Sequence, residues 1–193
     1  MYESLFKYIK DNSTSPLSES DVEAVKKAFV LKKFRKWHFL HQQGDTCKAI
    51  AFILKGAMRQ YSIDRKGMEH IVGLSIENWW AGDRESFEMQ VPSKYFVDAW
   101  ENTDALVITR DAFNSISTIP VVQEVRLLVS TNNAIALLDR LNASISLSAE
   151  ERYAELQKHH PEFLLRFPQH IIASYLGMTK ETLSRVRSHP VKK

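Results

Sequence analysis

A chain of 193 residues, 44% hydrophobic and 25% charged, can bury a real core and has the composition of an ordinary globular protein. No run of about 18 apolar residues occurs and the start MYESLFKYIK has no apolar signal core, so neither a membrane span nor an export signal is expected. One cysteine, Cys47, excludes an internal disulfide, a four-cysteine iron–sulfur site and a zinc knuckle within one chain, and together these point to the cytoplasm.

Leu5, Phe6 and Ile9 share one side of a short first helix, which Asn12 to Pro16 breaks. Ser18 with Asp21 is capping-box spacing and opens a second helix, whose apolar face carries Val22, Val25 and Phe29. From Leu31 to about Arg110 the texture is that of strands: short aromatic and aliphatic runs between turn signals. Ala49 to Leu54, Arg59 to Ile63, Glu69 to Ile76, Tyr95 to Trp100 and Ala105 to Thr109 are the clearest, with a hairpin turn at Asp64-Arg-Lys-Gly67. Seven or more such strands joined by tight turns imply an antiparallel jelly roll. Asn78 to Pro92 breaks the alternation and reads as a functional insertion with a helical turn in it.

Beyond Asp111 the pattern is helical. Ile119-Pro120 starts a long helix to about Ser146, along which Val121, Val125, Leu128, Asn132, Ile135 and, after a shift, Leu138 or Asp139 trace a near-heptad seam. Leu127, Ala134, Leu137 and Leu141 supply a second apolar side. A helix with two apolar faces must bury both, and one sheet covers only one. The seam is therefore the expected dimer interface; burial of both faces within one monomer is the alternative. Ser148 and Glu151 make another capping box, and His159-His-Pro161 ends the helix that follows.

Pro168 to Arg187 carries the sharpest signal. Two short apolar-periodic runs flank Leu176-Gly177-Met178, with Pro168 suited to a first helical turn and Thr179 placed to cap the second helix. Ile172, Ala173, Leu176, Gly177, Met178, Leu183 and Val186 fill the framework positions of a helix-turn-helix. Thr179, Lys180, Glu181, Ser184, Arg185 and Arg187 are then the candidate DNA-contacting residues, since Arg can pair with guanine and a carboxylate with cytosine. An ordinary helical hairpin with its polar face in water is the competing reading. Charge favours the first: the chain is net +3, but the part from Arg166 onward is net +5 and the rest net −2. A polyanion is drawn to one end only.

Jelly roll, long helix and helix-turn-helix, in that order, resemble the cyclic-AMP receptor protein and Fnr family of transcription regulators. The resemblance runs from about Val22 to Arg187 through Gly44-Asp45, Phe52 to Gly56, the Asp64-x-x-Gly67-x-Glu69 hairpin and Lys180-Glu181-Thr182 with Arg185. It implies an α+β protein in three parts: a cyclic-nucleotide-binding-like sensor over 1–118, a dimerisation helix over 119–147 and a helix-turn-helix unit over 148–193. It also implies a homodimer on a palindromic operator, with double-stranded DNA and a second copy as partners and RNA polymerase as a further candidate.

Two departures from the family stand out. Its phosphate-binding cassette has Gly-Glu, apolar residues and then Arg before a small residue, whereas this chain reads Gly82-Asp83-Arg84 and then Ser93-Lys94-Tyr95-Phe96. With no Arg in the cradle and aromatic bulk beside it, cyclic AMP is not the expected effector, and no cofactor is called for. The effector is unknown, and its pocket is expected among Trp79, Trp80, Gly82, Asp83, Arg84, Lys94 and Tyr95. The sequence also stops at Lys193, which leaves no room for the usual wing and puts DNA affinity in question.

A metal-dependent cupin is the enzyme alternative, but His38-x-x-His41 would point to opposite faces of a strand and no metal or catalytic group is assigned. Cys47 beside Lys48 is either a redox-sensing thiol or a plain one. The remaining alternative is a small-molecule sensor, for a cyclic nucleotide or another ligand, whose helix-turn-helix contacts protein rather than DNA.

Overall fold

The computed structural model describes residues 1–188. Two helices, α1 (Glu3–Asp11) and α2 (Glu19–Ala28), lead into the sheets. The capping box is formed: Ser18 Oγ accepts from the Asp21 N–H at 3.2 Å, and Asp21 Oδ2 accepts from the Ser18 N–H at 3.1 Å. Phe29 does not extend the face of α2 but opens the first strand, where a bulky ring fits the pleat better than a helix end.

Eight strands are described: β1 (Phe29–Phe34), β2 (Phe39–His41), β3 (Ala49–Lys55), β4 (Met58–Ile63), β5 (Glu69–Ser75), β6 (Trp80–Ala81), β7 (Phe96–Ala99) and β8 (Thr103–Thr109). They form two antiparallel sheets, β1-β8-β3-β6 and β2-β7-β4-β5, which make the expected jelly roll. Alternation along β8 sets the layers. Ala105 and Val107 face inward against Met58, Val97 and Ala99 of the second sheet. Leu106 and Ile108 face outward, into a core shared with Leu5, Ile9, Val25, Ile116, Val121 and Val125 of the helices. Fully burying an aliphatic side chain of this size contributes about 1.5–3 kcal/mol.

The insertion contains α3 (Arg84–Met89), and after β8 come α4 (Arg110–Ile116) and α5 (Pro120–Ser146). One face of α5 closes the core under the first sheet. Val121 is 0% exposed and Val125 7% exposed, so neither can belong to a dimer seam. This corrects the sequence expectation: β-branched valines pack on the outer face of β3 and β8, and the apolar side left open is the other one. Leu128 is half-buried, while Asn132 and Ile135 are exposed. The open side runs through Leu127, Thr131, Ala134, Leu138, Leu141 and Ile145, in alternating steps of four and three. Leu138 is 64% exposed and Ile145 78%.

Four further helices complete the described chain: α6 (Ala149–His159), α7 (Pro161–Arg166), α8 (Gln169–Tyr175) and α9 (Lys180–Ser188). They pack on the outside of the second sheet, where Tyr61, Ile71, Leu74 and Trp100 share a core with Phe163, Phe167, Ile171 and Leu183. Beside that core lies a buried ion cluster. Arg59 Nε donates to Asp98 Oδ1 at 2.9 Å and its Nη2 to Asp98 Oδ2 at 3.0 Å, with Glu69 as a further partner. Burial opposes the Arg59 charge, but the two carboxylates more than offset that and raise its pKa. Burial, followed by the Asp98 charge, pushes the Tyr61 phenol up to about 12.

Candidate functional site

The helix-turn-helix is formed from the residues that the framework requires. Ile171, Ile172 and Ala173 of α8 are buried, and so are Leu183 and Val186 of α9. Pro168 stands one position earlier than expected, as the N-cap residue of α8. The turn closes through the Met178 N–H, which donates to the Ala173 carbonyl at 2.9 Å. Gly177 takes φ +65°, a conformation that a β-carbon disfavours, which is why glycine stands there. Thr179 Oγ1 accepts from the Thr182 N–H at 3.2 Å and so caps α9 as expected.

With Leu183 and Val186 turned inward, α9 leaves Thr179, Lys180, Glu181, Ser184, Arg185 and Arg187 exposed. The Glu181 carboxyl is held below its usual range, first by its own backbone N–H and then by the Thr179 hydroxyl. It is therefore an acceptor at neutral pH. Arg185 Nη2 reaches Thr182 Oγ1 at 3.4 Å along the helix. Lys192 and Lys193, the last basic residues of the net +5 segment, lie outside the described residues.

The helix-turn-helix is tied to the second sheet by groups that no sequence motif announces. Ser174 Oγ accepts from the Ile71 N–H at 2.9 Å and donates to the Glu69 carbonyl at 3.2 Å, taking up edge groups of β5. Arg140 of α5 donates to the carbonyls of Val72 and Tyr175, and its guanidinium lies 4.2 Å from the centre of the Tyr175 ring. Arg166 pairs with both Glu77 and Glu101, while its carbonyl accepts from Trp100 Nε1 at 3.3 Å. Burial opposes the Glu77 charge, but Arg166 and the Gly56 N–H outweigh it and hold the carboxyl below its usual range.

The seven residues expected to form one effector pocket are divided. Trp79 lies outside it, edge-on to His160 and Phe163 at 5.4 and 5.7 Å. Lys94 is exposed and paired with Glu85 at 3.0 Å, and Tyr95 is half-buried. Asp83 is buried, caps α3 and accepts from Ser93 Oγ at 2.7 Å. The carboxylate and the hydroxyl at the cassette positions are thus bonded to each other. Phe96 does not fill the barrel as its bulk suggests; it faces outward, stacked on Tyr61 at 5.3 Å. Trp80, Gly82 and Arg84 do share a cavity, lying between the first sheet and the helices. Gly82 is needed there, since a β-carbon would come within 2.8 Å of Ile50 Cγ2.

His41 also turns inward, its Nε2 3.2 Å from Ser93 Oγ and its Nδ1 3.5 Å from Cys47 Sγ. Cys47 is fully buried, and that burial, above all other influences, raises its thiol pKa. A buried thiol of raised pKa does not suit a redox sensor, so the plain reading of Cys47 holds.

A sequence profile of the cyclic nucleotide-binding domain matches residues 31–118. The fumarate and nitrate reduction regulatory protein of Yersinia pestis is 29% identical over 187 residues, covering 88% of this chain and 72% of its own length. The anaerobic regulatory protein of Haemophilus influenzae is 28% identical over 183 residues, covering 88% and 70%. Among solved structures, FixK2 from Bradyrhizobium japonicum superposes with a TM-score of 0.73 at 17% identity over 83% of each chain, a likeness of fold.

Proposed function

We propose that the chain is a DNA-binding transcription regulator of the Crp/Fnr family that works in the cytoplasm as a homodimer reading a palindromic duplex. The observation that carries this reading is α9: its apolar side is locked into the core while Lys180, Glu181, Ser184 and Arg185 stand clear of it. Arg185 and Lys180 are the base readers, with Glu181 selecting bases that present a donor. The second copy meets the chain along Leu127, Leu138, Leu141 and Ile145, the open apolar side of α5. Two-fold symmetry then sets the two α9 helices in successive major grooves about 34 Å apart.

The protein works by regulated binding rather than catalysis, with RNA polymerase as a further partner. Control comes from a small molecule other than cyclic AMP, because Asp83 and Ser93 satisfy each other where a ribose phosphate needs a carboxylate and a guanidinium. Ser174, Arg140 and Arg166 link the reading head to the second sheet and to α5. A ligand that shifts α5 against the barrel would change the spacing of the two α9 helices. Selection from a random duplex library tests the reading. An enriched palindrome with half-sites about one helical turn apart is expected; no enrichment, with retention of a protein partner instead, would make the helix-turn-helix a protein contact.

A further inference from the structure

We infer that the cavity between the first sheet and α5 is a binding site for a small monocarboxylate with an apolar body. The space measures about 110 Å³ and is walled by Leu5 and Ile9 of α1, Phe87 of α3, Ile116 of α4, and Val125 and Val129 of α5. A cavity of this order takes a benzene-sized group, about six carbons. It is distinct from the cassette positions Asp83 and Ser93, which bond to each other.

Its polar lining gives the sign of the ligand. Glu88 accepts from Arg110 Nη1 at 2.8 Å and from Arg126 Nη2 at 2.8 Å. Arg84 makes no salt bridge among the described residues; its one bond is from Nη2 to the Arg126 carbonyl at 3.1 Å. Of the three guanidiniums near Glu88, two pair with it, and the half-buried Arg84 is left without a carboxylate partner among the described residues. Burial, chiefly, lowers its pKa, so its charge is poorly solvated where it stands. Trp80 Nε1 is a second donor, buried and without a hydrogen bond among the described residues. The Tyr8 phenol lies beside that indole without meeting hydrogen-bond geometry to it. A guanidinium without a carboxylate partner among the described residues, at the edge of an apolar cavity, calls for a ligand with an acceptor head and a hydrocarbon body. A carboxylate supplies both, and its bond to Arg84 would be charge-assisted.

Val122, Val125, Val129 and Asn133 of α5 also line the space, so an occupant presses on the helix whose other side is the proposed dimer seam. That regulatory consequence rests on the DNA-reading function; ligand binding itself does not.

Calorimetric titration of the full chain with benzoate, and with benzamide as its uncharged counterpart, tests the site. One benzoate per chain is expected, bound at least tenfold more tightly than benzamide. Arg84→Met should erase that preference. Val129→Phe, which narrows the space and keeps the charge, should abolish binding of both while the chain stays folded by circular dichroism. The Trp80 indole N–H resonance, assigned by its loss in Trp80→Phe, should move on benzoate addition. No saturable binding, equal binding of benzamide, or binding unaffected by Arg84→Met would overturn the site. Operator binding is measured separately with and without benzoate: binding of benzoate that leaves operator affinity unchanged would overturn the regulatory role alone.

Discussion

The two flanks of α5 carry similar side chains in opposite surroundings. On one, Val121 and Val125 sit in the core beneath the first sheet; on the other, Leu127, Leu138, Leu141 and Ile145 face open solvent. Periodicity finds both faces, but only the fold says which is already covered. The same contrast separates the polar groups. Asp83 and Ser93 face inward and satisfy each other, whereas Lys180 and Ser184 face outward from a helix that apolar residues anchor. A side chain whose bonds are made inside the monomer is not free to recognise a partner, whatever its chemistry.

Substitutions on the two flanks should behave differently, and the core flank should show the largest effect. Val125→Asp puts a charge where no partner exists and should cost more than about 4 kcal/mol, giving an unfolded or aggregated chain by circular dichroism. Leu138→Asp should leave the monomer folded, within about 0.5 kcal/mol in denaturant titrations, and should convert dimers to monomers in light scattering. If Leu138→Asp unfolds the chain and Val125→Asp gives folded monomers, the two faces have been assigned the wrong way round.

Among the outward polar groups, Arg185→Ala should cost roughly 1–3 kcal/mol in operator binding and relax preference at one base position. An identical selected motif from that variant would remove Arg185 as a reader. A smaller effect is expected from acid. The Glu77 carboxyl is held low by Arg166 and the Gly56 N–H, so its stabilisation is present at neutral pH. It is lost as pH falls below about 4.3 and through the folded-state value. Melting curves from pH 7 to 3.5 should therefore show a steeper acid loss in the wild type than in Glu77→Gln, and equal slopes would contradict the role of that contact. The smallest effect expected is none: cyclic AMP should neither release heat in calorimetry nor shift operator affinity, and micromolar binding would refute the account of the cassette.

Much of the fold was legible because it rests on local signals. Both capping boxes, the turn at Gly177 and the strand alternation depend on residues close in sequence, and each stands where the spacing places it. What stayed hidden depends on contacts far apart in the chain. The ring of Trp79 packs on Phe163, and the cavity draws its walls from Leu5 through Asn133. Ser174 was overlooked because a serine in a short helix gives no sign that it will bond the edge of β5. The open seam was partly readable, since Leu127, Ala134, Leu137 and Leu141 stood out as a second apolar side; Leu138, read into the other seam after a shift, belongs on this one, as does Ile145.

The most direct test of a dimer that reads DNA through α9 is the stoichiometry on the selected duplex. Fluorescence anisotropy and mass photometry at fixed salt would titrate the palindrome and an isolated half-site against wild type and Leu138→Asp. Two chains per palindrome are expected, with binding to the half-site much weaker and cooperativity lost in Leu138→Asp. One chain per palindrome, or equal affinity for palindrome and half-site, would contradict it.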